Sequence, residues 1–260
     1  MPNVLLSPWK GGTPRRLCNA LGLYLRTPDQ FRAHPLARVG TLVNWGTYAR
    51  DIESRRVLNA PQAVASACSK LMTFRILSDA KIPTLEYTTD RNLATGWTEV
   101  ASVFAHINPH AHSAQGLELI RKGADKSTVP AAKVYTKYFP KSVESRTHVI
   151  REKDGSFRHL YLEKRRVSKE RYDEFDLEES PTTFIRTWAN GWIFAREVME
   201  DSQAIDLAIK TLALFKLDYG AVDIMKDKKG HYVVGEINTA PGLEGKALDF
   251  YVKHLERLIQ

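Results

Sequence analysis

Apolar positions in the first 60 residues follow strand and helix spacings in turn. Val4–Leu6 has the pattern of a short strand, and Pro14–Leu23 that of a helix. Val39–Gly46 is an apolar strand that stops at a glycine. The N-terminal part of the chain is therefore expected to form a small α/β segment.

A helical region follows this segment. Asn59 and Pro61 are typical of a helix start, with an N-cap and then a proline in the first turn. From Val64 to Ala80 most apolar residues recur at helical spacing, which predicts one helix or a broken pair of helices. An extended segment begins at Ile82-Pro83 and ends near Tyr87.

Short apolar runs alternate with turn residues from Val100 to Ile150, which predicts a small β-rich subdomain. Asp154-Gly155 is a strong hairpin turn, so Arg158–Glu163 is expected to pair back as another strand. The polar stretch Val167–Pro181 is interpreted as a surface loop or linker. Gln203–Leu217 has the spacing of an amphipathic helix.

These elements predict three domains. They are an N-terminal α/β segment over residues 1–90, a small β-rich lid over 91–160, and a C-terminal subdomain over 161–260.

Two β-branched runs flank the turn Asp227–Gly230, which predicts a β-hairpin near the end of the sequence. If the four turn residues loop out, Lys226 pairs with His231, and Asp223 then lies opposite Val234.

Three polar side chains are expected to share one face of this hairpin: Asp223, Glu236 and Asn238. Two carboxylates and an amide oxygen suit Mg²⁺, and such ions bridge nucleotide phosphates. The spacing alone leaves open that these are solvated polar positions on an open hairpin face, because a one-residue change in the turn reverses the parity.

The sequence that follows resembles a known motif. Glu236–Gly245 is similar to the C-terminal metal motif of the ATP-grasp superfamily, especially ribosomal-protein glutamate ligases and D-alanine:D-alanine ligases, and Gly220–Ile224 resembles their first metal strand. The resemblance implies that Asp223 and Glu236 bind Mg²⁺. It also implies that Glu236 bridges two ions and Asn238 completes the second.

The resemblance extends upstream. Lys70 matches the ATP-phosphate lysine, although Ser69 stands where the family has an aspartate. Lys137 and Phe139 match the hinge strand that receives adenine, and Glu144 matches the acidic residue for the ribose hydroxyls. An exposed strand end is the alternative account of Lys137 and Glu144.

One position departs from the family pattern. His106 stands where a strand of the lid normally ends in a lysine or arginine, before a loop in which Ser113 and Gly116 are expected to cradle phosphates. A histidine near its usual pKa of about 6.5 is a weaker, pH-dependent phosphate ligand. A zinc cluster of His106, His110 and His112 is the disfavoured alternative.

Two arginines are candidate catalytic residues. Arg166 belongs to a basic run after Arg158–Glu163, where such ligases often place a cation near the transferred phosphate. A solvated basic turn is an equal alternative. Arg186 begins a segment with Trp188 and Trp192 that is either a substrate loop or part of the core.

Composition narrows the possible partners. The 38 lysines and arginines exceed the 30 aspartates and glutamates, and the net charge of +8 favours anionic partners. The basic residues are spread over the chain, so nucleic acid is possible but not favoured. Two cysteines are too few for a disulfide framework, and no segment has the pattern of a membrane span or secretory signal, so a cytoplasmic location is expected.

The sequence thus predicts an α+β protein of ATP-grasp fold, in which two α+β subdomains clasp ATP beside a short N-terminal α/β segment. By resemblance, the expected function is an ATP- and Mg²⁺-dependent carboxylate–amine ligase. It would join a small-molecule or peptide carboxylate to an amine acceptor through an acylphosphate. The alternative is an impaired ATP-grasp scaffold that binds nucleotides or nucleic acids.

Overall fold

Three β-sheets form the described part of the computed structural model. It covers residues 1–33, 39–48, 54, 56–108, 116–167, 184–195 and 197–260.

The N-terminal sheet is parallel, with strand order β2-β1-β3-β4. Its elements are β1 Val4–Leu6, α1 Gly12–Leu21, β2 Tyr24–Arg26, α2 Pro28–Ala33, β3 Thr41–Asn44 and β4 Arg56–Leu58. The predicted helix Pro14–Leu23 starts two residues earlier and ends at Leu21, because Gly22 adopts the left-handed conformation of a C-cap.

The predicted helical region is a broken pair, α3 Pro61–Cys68 and α4 Lys70–Asp79. Ser69 lies between the helices in an extended conformation, with φ −92° and ψ 108°. Lys70 is therefore the first residue of α4.

The lid sheet is antiparallel, with strand order β5-β8-β6-β7. Its strands are β5 Tyr87–Thr88, β6 Val103–His106, β7 Leu117–Ile120 and β8 Val134–Lys137, and α5 Arg91–Trp97 packs beside them.

The central sheet is antiparallel, with strand order β11-β10-β9-β12-β13. Its strands are β9 Lys141–Arg151, β10 Phe157–Arg166, β11 Trp192–Ala195, β12 Tyr219–Asp227 and β13 Tyr232–Asn238; the helices α6 Ser202–Leu214 and α7 Lys246–Ile259 accompany them. The predicted division of the chain into domains stays a prediction, but its boundary at residue 160 falls inside β10. Most of the predicted loop Val167–Pro181 lies outside the described residues.

The two faces of the central sheet have different surroundings. One face is apolar and packs against α6, through residues such as Val149, Val222 and Leu212. On the other face, Ile150 and Tyr219 pack against the N-terminal sheet and α7. Farther along this second face the side chains become polar.

Buried aromatic rings fix the N-terminal sheet to the central sheet. Trp45 stacks on Tyr219 with ring centroids 5.4 Å apart, and Tyr251 of α7 meets both rings edge-on. This cluster holds the apolar end of the second face. None of the described helices has the length and apolar composition needed to cross a membrane.

Candidate active site

A pocket with a volume of about 1390 Å³ lies between the lid sheet and the central sheet. Phe104 and Thr136 line it from the lid, and Arg146 and Glu236 line it from the central sheet. Trp9 of the N-terminal segment also lines the pocket. The polar part of the second sheet face is therefore one wall of this pocket.

The hairpin of β12 and β13 brings the predicted metal ligands to the pocket, in a register different from the predicted one. Asp223 lies opposite Glu236 rather than Val234, because Lys226 pairs with Tyr232 instead of His231.

A β-bulge places Asp223, Glu236 and Asn238 on one face of the hairpin, as the sequence predicted. The register shifts between Asp223 and Ile224, which leaves Gly235 as the extra residue of β13. Val234 points into the α6 core, whereas Glu236 and Asn238 line the pocket. The shift in register and the bulge thus offset each other, and the three polar residues share one face.

Asp223 is bound by an arginine that the sequence analysis did not single out. Arg146 Nε lies 2.6 Å from Oδ1 of Asp223, and Nη2 lies 2.8 Å from Oδ2. Burial alone raises the pKa of the Asp223 carboxyl, but the charge and hydrogen bonds of Arg146 outweigh burial, so the pKa is lowered. Asp223 is therefore ionised and paired.

The other two predicted metal ligands, Glu236 and Asn238, are held less tightly by neighbouring side chains. Glu236 Oε1 lies 3.5 Å from Nζ of Lys70, and 38% of the Glu236 side chain is exposed. The Nδ2 atom of Asn238 is buried without a hydrogen-bond partner. A hard cation such as Mg²⁺ fits the oxygen donors of Glu236 and Asn238, while both oxygens of Asp223 already accept hydrogen bonds.

His106 lies in the pocket wall as a neutral group. Its Nε2 atom lies 3.0 Å from Oγ1 of Thr136, and its side chain is buried. Burial and the positive charge of Lys70 lower the pKa of His106 to about 3. The expectation of a pKa near 6.5 is therefore corrected, and His106 carries no charge near pH 7.

The loop after His106 is only partly described. Gly116 has φ +64°, which favours glycine, and its carbonyl accepts a hydrogen bond from the amide of Ile107 at 2.9 Å. Ser113, and the His110 and His112 of the zinc alternative, lie outside the described residues.

The predicted hinge follows the lid sheet. Phe139 and Lys137 both line the pocket. The ammonium group of Lys137 lies 3.1 Å from Glu86 and 5.7 Å from the ring centroid of Trp97. Both residues therefore lie where a ligand in the pocket can reach them.

Glu144 is held by two lysines. Lys141 Nζ lies 2.6 Å from Oε2 of Glu144, and Lys164 Nζ donates to Oε1. The Glu144 side chain is only 9% exposed. Burial lowers the pKa of Lys141, and the charge of Glu144 offsets part of this effect. The carboxylate is therefore committed to an ion-pair cluster, and its predicted ribose contact stays a prediction.

The two predicted catalytic arginines lie in different surroundings. Arg186 is buried in the pocket wall, donates to the carbonyl oxygens of Lys141 and Ser142, and stacks 4.3 Å from the ring centroid of Trp192. Its Nε atom is buried without a hydrogen-bond partner. Arg166 is exposed at the end of β10, and Lys164 of that strand lines the pocket instead.

Arg146 and His148, which sequence reasoning missed, share a pattern with Glu144, which it named. Glu144, Arg146 and His148 alternate along β9 with Ser145, Thr147 and Val149. This period of two places Arg146 on the same face as Glu144. A strand prediction extended back to Lys141 would have found Arg146.

A free thiol also lines the pocket. Cys68 is partly exposed, and its Sγ atom lies 3.5 Å from Oγ1 of Thr239. Burial raises the pKa of this thiol, which is therefore protonated at neutral pH.

Comparisons with known proteins agree with this geometry. Residues 194–260 match the model of the RimK-like ATP-grasp domain. No curated protein matches the chain.

Several solved structures share the whole fold at low sequence identity. The D-alanine–D-alanine ligase of Bacillus anthracis is 14% identical, with a TM-score of 0.70 over 100% of this chain and 96% of that one. The carboxyaminoimidazole ribonucleotide synthase of Aspergillus clavatus, solved with ATP, is 14% identical, with a TM-score of 0.67 over 99% of this chain and 76% of that one. The ATP-grasp ligase PsnB, solved with a minimal precursor, Mg and ADP, is 14% identical, with a TM-score of 0.67 over 99% and 96%.

The chain therefore has the α+β ATP-grasp fold that the sequence predicted. The predicted resemblance to the ATP-grasp superfamily and its RimK-like members is also confirmed.

Proposed function

We propose that the protein is an ATP-dependent carboxylate–amine ligase that forms an amide or peptide bond. The observation that carries the proposal is the pairing of Asp223 opposite Glu236 on the pocket face of the hairpin, with Lys70 3.5 Å from Glu236. Carboxylates and a lysine in one pocket of an ATP-grasp fold suit a Mg²⁺-bound triphosphate. The ATP-grasp ligases of the same fold, solved with ATP or with Mg and ADP, support this choice.

Each side chain has a role in nucleotide binding under this proposal. Lys70 and Lys137 neutralise phosphate charge, and Phe139 packs against the adenine. Glu236 and Asn238 would hold Mg²⁺ beside Asp223, and the ion would offset phosphate charge during transfer. His106 donates one hydrogen bond to a phosphate oxygen from its ring N–H.

The proposed reaction has two balanced steps. An oxygen of the substrate carboxylate forms a bond to the γ-phosphorus as the bond to ADP breaks, which yields an acylphosphate. The amine nitrogen then forms a bond to the acyl carbon, phosphate leaves, and the nitrogen loses a proton to phosphate or water. Arg186 and Lys164 place positive charge in the pocket wall, and closure of the lid would exclude water that hydrolyses the acylphosphate.

The substrates belong to a broad class under this proposal: a small-molecule or peptide carboxylate and an amine. The test is ADP formation with Mg²⁺-ATP across a panel of amino acids and acidic peptides, each with and without an amine. ADP formation that requires both substrates, together with a new amide mass, is expected. Failure to bind Mg²⁺-ATP in calorimetry would overturn the proposal.

A second candidate rests on His106. Because this residue is neutral and buried, it adds no charge to the phosphate site, as expected of an ATP-grasp scaffold that binds nucleotides or nucleic acids without turnover. Binding of ATP without ADP formation on any substrate pair would favour it. RNA and DNA binding that weakens steeply with salt would identify the nucleic-acid form. A cytoplasmic location stays a prediction under either function.

A further inference from the structure

We infer that Arg146 takes the place of one of the two divalent cations expected at the hairpin, so that the nucleotide-bound protein holds a single Mg²⁺ on Glu236 and Asn238. This inference rests on the proposed function, because it concerns the metal that accompanies the nucleotide.

Arg146 binds Asp223 as a permanent partner would. The guanidinium reaches both carboxylate oxygens, at 2.6 and 2.8 Å, and the two side chains are only 17% and 12% exposed. Arg146 also lies directly opposite Asp223 on the neighbouring strand, with the Phe194 ring centroid 4.8 Å from its Cζ atom. Backbone pairing and ring packing thus fix the guanidinium beside the carboxylate.

Glu236 and Asn238 are available in a way that Asp223 is not. Lys70 approaches one oxygen of Glu236 at 3.5 Å, and the carboxylate is 38% exposed. The amide nitrogen of Asn238 is buried and has no hydrogen-bond partner. Of the three predicted ligands, the two on β13 are therefore the ones that no guanidinium holds.

The fixed charge of Arg146 opposes an ion on Asp223. The carboxylates of Asp223 and Glu236 carry two negative charges, and Arg146 and Lys70 carry two positive charges. A guanidinium stays protonated in proteins, so a divalent ion bound to Asp223 would meet a fixed positive charge in a poorly hydrated site.

Besides Asp223, the described carboxylates near Arg146 are those of Glu144 and Glu236. Glu144, two residues earlier on the same strand, is already bound by Lys141 and Lys164. Displacing Arg146 from Asp223 would break a poorly exposed bidentate ion pair, which is costly.

The test counts metal ions. Mn²⁺ replaces Mg²⁺, a non-hydrolysable ATP analogue saturates the protein, and electron paramagnetic resonance measures free Mn²⁺ during the titration. We expect one Mn²⁺ per nucleotide-bound chain. Two tightly bound ions would overturn the inference and leave the proposed function standing, whereas absence of analogue binding would overturn both.

Variants locate the ion. Arg146→Gln should gain a second Mn²⁺, and a count that stays at one would contradict the exchange. Arg165→Gln, an exposed arginine of β10, is the matched control and should keep one ion.

A second pair of variants decides the matter even if Arg146→Gln fails to fold. Glu236→Gln should weaken Mn²⁺ binding by more than about tenfold, whereas Asp223→Asn should change it by less. Equal loss in the two variants would show that Asp223 is a metal ligand and would overturn the inference.

Discussion

Asn59 and Asp218 bind each other through two hydrogen bonds although 159 residues separate them. The Asn59 amide donates to Oδ2 of Asp218 at 2.7 Å, and the Asp218 amide donates to Oδ1 of Asn59 at 2.8 Å. Asn59 is fully buried, with φ +62°. Because Asp218 directly precedes β12, this pair ties the N-terminal sheet to the strand that carries Asp223.

Substitution of Asn59 separates the cost of the hydrogen bonds from that of the backbone conformation. Asn59→Ala leaves buried backbone groups of Asp218 and Tyr219 without their partner and keeps a side chain at positive φ. We expect the free energy of unfolding to fall by about 3 kcal/mol or more. For Asn59→Gly the free energy of unfolding should fall by about 1 kcal/mol less than for Asn59→Ala, because glycine tolerates positive φ.

Denaturant unfolding measures both variants of Asn59. Asn92→Ala, at an exposed position of α5, is the control and should stay near the parent protein. Equal losses for alanine and glycine would show that the positive φ carries no cost here.

The two hairpin carboxylates should respond differently to neutralisation. Asp223→Asn leaves the buried Arg146 without its charge partner, so the free energy of unfolding should fall by about 3–5 kcal/mol. Glu236→Gln removes a half-exposed carboxylate from a 3.5 Å contact, and the change should stay within about 1 kcal/mol. Urea unfolding of the ligand-free protein checks both values. Similar losses would contradict the structural role given to Arg146.

Glu144→Gln tests whether this residue is primarily structural. The variant leaves two poorly exposed ammonium groups, Lys141 and Lys164, around a neutral amide, and we expect a loss of about 3–5 kcal/mol in the free energy of unfolding. Glu163→Gln, which removes the partner of the half-exposed Arg165, should cost at most about 1 kcal/mol. If Glu144→Gln unfolds like the parent but binds ATP more weakly, the ribose role predicted from sequence is the better account.

Stability should fall in mild acid because of buried neutral histidines. Burial, and then the charge of Arg146, lower the pKa of His148 to about 3. Between pH 6.5 and pH 3 the His148 ring therefore binds a proton in the unfolded protein but not in the folded protein. The contribution of His148 to the free energy of unfolding is complete above pH 6.5 and is lost as the pH falls toward 3. At pH 5 the loss from His148 should be about 2 kcal/mol.

The measurement is the free energy of unfolding at pH 7 and pH 5 for the parent and for His148→Phe. The difference between the two pH values should shrink by about 2 kcal/mol in the variant. Asn92→Ala, at an exposed position of α5, should leave the difference unchanged. An unchanged difference in His148→Phe would show that this histidine does not govern acid stability.

Much of the fold could be predicted because its signals are local. The helical region around Lys70 and the β12–β13 hairpin both follow from residue spacing and turn residues, although spacing left open whether that region was one helix or two. The register of the hairpin could not be predicted in this way, because the bulge depends on how Gly235 packs. A Cβ atom at Gly235 would lie 2.7 Å from Cε of Met225. That contact joins two strands and leaves no trace in the spacing of either.

The pKa values and ion pairs of the site could not be predicted from the sequence, for a different reason. A pKa depends on burial and on neighbours that come from distant segments, such as Lys70 beside His106 or Arg146 beside Asp223. The motif therefore identified the carboxylates but not the arginine that binds one of them.

The position of Cys68 gives the natural sequence a single reporter site. Of the two cysteines, Cys18 is buried in the core beside α1, while Cys68 lines the pocket next to Thr239. A thiol-reactive fluorophore applied at alkaline pH should label the pocket wall alone, without any engineered residue. Occupancy of the pocket then becomes an optical signal, and ligands can be screened by their protection of one thiol.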